Sequence, residues 1–164
     1  MSDAQQFESP EIGFSLRKPQ SWEFVPTAWS AADWTGCVNQ PFCVARRMHD
    51  SQQHAFPSLQ ATVRPFGNPT AQQAEALLRM QLDAMRNTYG QVEVLDARAD
   101  HEFSGHLALG IRAVIPLQIP ILTRVHVIFA PGRAFSVGIS TSPDPNYFDE
   151  AEITEIFASM RISG

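Results

Sequence analysis

Apolar residues recur along this chain with two different periods, and each period predicts its own kind of element. Between 70 and 89, Ala74, Leu77, Leu78, Leu82, Met85 and Tyr89 return every three or four positions, the spacing that gathers side chains on one face of an α-helix. Thr70 and Gln73 are placed to form a capping box, Glu75 and Arg79 lie one turn apart as an ion pair, and Gly90 offers a left-handed exit. A second helix is predicted over 150–160, with Ile153, Ile156, Phe157 and Met160 on one stripe. Asp149 reads as its N-cap with Glu152 at the third helical position, while Phe148 and Ile153 occupy the two places of a hydrophobic staple. A short strand over 161–163 closes the chain.

The remaining periodic segments alternate as strands do: 12–17, 42–47, 58–64, 92–98, 106–115, 123–129 and 134–141. Leu107, Leu109, Ile111, Ala113 and Ile115 share one side of their segment, as do Phe135, Val137 and Ile139. The turn Ala130-Pro131-Gly132-Arg133 joins the last two segments as a hairpin. Strands that follow one another without an intervening helix pair antiparallel, because parallel pairing needs a crossover. The expected fold class is therefore α+β: an antiparallel sheet of about six or seven strands flanked by two main helices. Residues 1–10 read as a flexible lead and 11–164 as one domain. The stretch 19–41, broken by Pro19, Pro26 and Pro41, reads as a long structured loop that holds Trp22, Trp29 and Trp34.

Composition narrows the function classes. The chain has 164 residues, 44% hydrophobic and 18% charged, which suits one globular domain with a sizeable core. Its net charge is -5 and its basic residues are scattered, so nothing forms the cationic stripe that a nucleic acid partner requires. The first ten residues lack the basic and apolar regions of a secretory signal, and no run is long enough for a membrane span. The expected location is cytoplasmic. Cys37 and Cys43 read there as free thiols rather than a disulfide.

Catalytic and metal signatures are missing from the local pattern. His101 and His106 flank Glu102 but stand five apart with Gly105 between, whereas a helical zinc pair needs a spacing of four. Joining them with His49, His54 or His126 would take a convergence that spacing does not show. Neither Cys37, Cys43 nor Ser104 sits in a nucleophile motif, and no glycine-rich run opens a helix to cradle phosphate. No metal, cofactor or catalytic residue is expected, although a triad assembled from distant residues would escape a local scan.

Several short patterns fit together over nearly the whole chain. They are Gly13-Phe14-Ser15-Leu16 with Pro19 and Trp22, the step Phe103-Ser104-Gly105-His106, the return strand Arg133-Ala134-Phe135, and the closing helix ending in Ser159-Met160-Arg161-Ile162. Together they resemble the PsbP-like domains, the group that includes the photosystem oxygen-evolving accessory protein and the Ran-binding Mog proteins. The resemblance implies an α/β/α sandwich and a non-enzymatic binding role. Secretion-effector chaperones of the Eag type are similar in outline, but their middle region has no local match here.

Two features stand out as candidate contact sites. The segment 115–122 joins two strands yet is apolar and carries Pro116 and Pro120, so Leu117, Ile119, Ile121 and Leu122 form an apolar hairpin tip that either folds back on the core or meets a protein partner or a second copy. Trp22, Trp29 and Trp34 either plug the edge of the core or wall a pocket for a small molecule. The leading expectation is an interaction module acting through the hairpin. The alternative is a small-molecule binding protein or enzyme using the tryptophan loop.

Overall fold

The structure is a computed structural model that describes residues 5–47 and 57–163. Among the described residues ten strands and two α-helices follow in chain order: β1 Gln6–Ser9, β2 Phe14–Arg17, β3 Trp22–Val25, β4 Cys43–Arg47, β5 Ser58–Pro65, α1 Ala71–Tyr89, β6 Glu93–Phe103, β7 His106–Ile115, β8 Ile121–Ala130, β9 Arg133–Thr141, α2 Glu150–Ser159 and β10 Arg161–Ile162. Short 3-10 turns occupy Ala31–Gly36 and Pro145–Tyr147.

Seven strands form one sheet in the order β3-β4-β5-β9-β8-β7-β6, and β1-β2-β10 form a second, smaller one. Every pairing is antiparallel, as the helix-free succession of strands predicts. Helix α1 lies against β6 and β7 on one face of the large sheet. Its buried contact runs through Ala74 to Leu109, Val127 and Phe129, with Leu77 and Leu78 alongside. The other face carries α2 and the small sheet over a larger core, in which Phe14, Leu16, Trp22, Phe135, Ile139, Ile153 and Ile156 are all buried.

Turn chemistry matches the local sequence. Ser104 and Gly105 both take positive φ, 54° and 80°, between the paired residues Phe103 and His106, which is the backbone of a two-residue hairpin turn twisted like its strands. Gly132, with φ 77°, follows Pro131 between the paired Ala130 and Arg133. At the start of α1 the Thr70–Gln73 capping box forms in both directions. Asp149 caps α2 by accepting from the Ala151 amide, but Glu152 turns away from the cap to accept from the Ser21 hydroxyl and to face Arg47 at 3.6 Å.

Three segments differ from expectation. Gln6–Ser9, expected as part of a flexible lead, is a strand, because Phe7 packs against Phe14, Phe24 and Phe42 with ring centroids 6.3, 6.4 and 5.7 Å apart. Trp22–Val25, expected inside a loop, is an edge strand on β4. β6 runs on to Phe103 by absorbing two register shifts, one between Val94 and Asp96 and one between Arg98 and His101. Arg133 ties the layers: its Nε donates to the Ile12 carbonyl at 2.7 Å and a second nitrogen donates to the Ser163 carbonyl.

Candidate functional site

The strand register builds a site that no local motif announces. Residues paired across an antiparallel sheet share a face, so on the α2 side three rows cross β6, β7 and β8. The first row is Asp96, Arg112 and Arg124; the second is Arg98, Gly110 and His126; beyond the bulge His101 stands opposite Ala108. Helix α2 covers the middle of the sheet and leaves these outer strands open. A cleft with a volume of about 330 Å³ remains, walled on the helix side by Glu150, Ile153, Thr154 and Phe157.

Gly110 is the low point of the floor. A methyl group there would meet His101 and His126 at 3.8 Å, so the two imidazoles stand directly over it. Their ring centroids lie 5.2 Å apart, and the Phe157 and His126 rings pack edge to face with centroids 4.6 Å apart. Burial, followed by the neighbouring His101, pushes the His126 pKa down to about 4, so this ring is neutral at pH 7.

Arg124 is almost wholly buried and is held from several sides. It donates to Glu150 at 2.7 Å and to the Thr141 hydroxyl at 3.2 Å, and its guanidinium lies 4.9 Å from the centre of the Phe148 ring. Its pKa is lowered by burial and by Arg112, while Glu150 acts in the opposite direction. Three buried nitrogens of this cleft, His101 Nε2, Arg124 Nε and His126 Nδ1, have no hydrogen-bond partner among the described residues. A buried polar group left unpaired costs about 1–3 kcal/mol, so groups placed like this call for a partner.

The residues singled out from sequence lie elsewhere. Trp22 is fully buried in β3, and Trp29 and Trp34 pack half-buried against the same core, with Trp29 5.7 Å from Phe42. None of the three lines the cleft. At the β7–β8 tip Leu117 is 40% and Ile119 45% exposed, Ile121 is half-buried and Leu122 is buried. His101 enters the cleft, whereas the ring of His106 meets the Ile162 carbonyl at 3.3 Å; His49 and His54 lie outside the described residues. Among the described residues no three histidine, cysteine, aspartate or glutamate side chains converge as metal ligands. Both cysteines are free, and burial pushes the Cys43 thiol up to about 12.

The signal for the cleft was present in the strand alternation. If Leu107, Leu109 and Ile111 turn to one face of β7, then Gly110 and Arg112 must turn to the other, as Arg124 and His126 do on β8. Consecutive inward positions that are polar or lack a side chain mark a place where the core stops.

These elements define an α+β domain in which one antiparallel sheet separates a helix from a layer of helix and small sheet. The fold is PsbP-like. It is similar to cyanobacterial PsbP (CyanoP) from Synechocystis sp. PCC 6803, with a TM-score of 0.63 and 15% identity over 97% of this chain and 92% of that one. It is also similar to LpqN, a protein involved in cell envelope biogenesis of Mycobacterium tuberculosis, with a TM-score of 0.58 and 12% identity over 92% of this chain and 83% of that one. A protein of Bacteroides thetaiotaomicron VPI-5482 matches with a TM-score of 0.56 and 10% identity over 99% of this chain, which spans half of that longer chain. No protein-family model and no curated protein matches the sequence. No described helix is long and apolar enough to cross a membrane.

Proposed function

We propose that this domain is a non-enzymatic binding module and that its ligand occupies the cleft between α2 and strands β6 to β8. The observation that carries this reading is the convergence of the three unpaired nitrogens of His101, Arg124 and His126 on one cleft. The other buried side-chain nitrogens without a partner among the described residues, Trp22 Nε1 and Trp29 Nε1, belong to residues of the main core, so three idle nitrogens gathered on one cleft favour a ligand there. The lining offers no serine or cysteine nucleophile, and its only hydroxyl belongs to Thr154. Amide NMR spectra of the labelled protein, screened against a chemically mixed set of small molecules, test it. Shifts should cluster at Gly110, Arg112, Arg124, His126 and the first turn of α2. Shifts confined to other surfaces, or none at all, would sink the reading.

A second reading rests on a different observation, the exposure of Leu117 and Ile119 at the β7–β8 tip. Two adjacent large aliphatic groups in water favour contact with a protein partner or a second copy. Replacing Ile119 with Ser should then reduce self-association in light scattering while leaving the melting temperature nearly unchanged. A large fall in melting temperature with unchanged association would mark the tip as ordinary packing.

A further inference from the structure

The chemistry of the cleft narrows the ligand class. Arg112 and Arg124 stand directly opposite each other on β7 and β8, a cross-strand pairing of like charges that is unfavourable by itself. Arg124 has Glu150 as its carboxylate, and Arg98 reaches Asp100 at 4.0 Å. Arg112 forms no ion pair among the described residues, although Asp96 is its register neighbour on β6. Arg112, exposed at the rim of the cleft, is thus a guanidinium with no carboxylate fixed on it among the described residues.

The same cleft limits how much negative charge can enter. Asp96 and Glu150 stand on its walls, and Asp149 caps the α2 terminus, so a compact dianion would meet carboxylates where it needs donors. The remaining wall is apolar, formed by Ile153 and Phe157 with the faces of the two imidazoles nearby. Guanidinium groups, a low tolerance for charge and a flat apolar wall together describe one kind of molecule.

We propose that the cleft takes a small monocarboxylate with an apolar body, its carboxylate against Arg112 and Arg124 and its body against Phe157. This rests on the cleft being the ligand site, and the test separates the two claims.

Calorimetric titration and amide NMR of the whole chain with benzoate, hexanoate, benzamide and inorganic phosphate provide that test. Benzoate and hexanoate should bind and shift the Gly110, Arg112 and Arg124 signals, and benzamide, which keeps the ring but loses the charge, should bind about tenfold more weakly or worse. Arg112→Gln should weaken benzoate by at least about tenfold, since its side chain is outside the folding core. Its unchanged amide spectrum away from the cleft would show that the fold is intact. Gly110→Leu, whose side chain would push the His101 and His126 rings out of place, should weaken binding independently. If benzamide binds in the cleft as tightly as benzoate, the carboxylate assignment fails and the cleft reading survives. Phosphate binding more tightly than both carboxylates would also overturn the assignment. If no probe perturbs the cleft, both claims fall.

Discussion

His126 shows how a single side chain inherits its chemistry from distant parts of the chain. Local reading pairs His101 with His106, five residues away, but the folded sheet sets His101 beside His126 and turns His106 toward the terminal strand. Only the register of β6, β7 and β8 reveals the true neighbours, and register is a property of long-range pairing that spacing along the chain does not carry. A pH dependence follows. The His126 pKa falls from 6.5 to about 4 on folding, so between those values the unfolded chain binds a proton that the folded one does not. Stability from this group is therefore intact above pH 6.5 and is lost as pH falls, by about 3 kcal/mol in all once pH 4 is reached. Urea melts at pH 7.5 and pH 5 should show a smaller loss for His126→Gln than for the parent chain. Equal losses in both proteins would show that His126 does not drive the acid sensitivity.

At the scale of elements, what could be read ahead depended on length. Helix α1, with its capping box and Gly90 exit, and strand β7, which runs from His106 to Ile115, were legible because many positions repeat one period. β1 and β3 were not, since four residues give only two inward positions each, and Phe7 and Trp22 are held by tertiary contacts. Helix α2 was legible in place and in its stripe, but the stripe overstated its core. Ile153, Ile156 and Met160 are buried, whereas Phe157 is only half-buried and roofs the cleft over His126. Ile156→Ala should therefore cost about 2–5 kcal/mol, and Phe157→Ala distinctly less than the roughly 3–5 kcal/mol of a wholly buried phenylalanine. Guanidinium chloride melts of the two variants would reveal the order. A reversed ranking would mean that the roof residue is part of the main core.

Across the whole molecule, the succession of helix-free strands was enough to foresee antiparallel pairing, yet not that the chain would divide its strands between two sheets. The seam between those sheets is aromatic. Phe14 of β2 meets Phe42 at 4.8 Å and Phe135 of β9 at 5.4 Å, so one cluster fastens the small sheet to the large one. Phe135→Ala should cost about 3–5 kcal/mol and loosen both sheets together. Hydrogen exchange that quickened only in β9 would contradict a shared seam. The outer edges of the large sheet carry a separate consequence. β3 ends the sheet after four residues, but β6 presents eleven, long enough for a strand of a neighbouring molecule to add on. Its bulges at Leu95 and near residues 99–100 interrupt that template. Deleting Leu95 would restore an even ladder along the first half of β6, and the altered protein should form fibrillar aggregates that bind amyloid dyes at concentrations where the parent stays clear. That result would make a residue that pairs with nothing a guard against polymerisation, valued for the contacts it prevents.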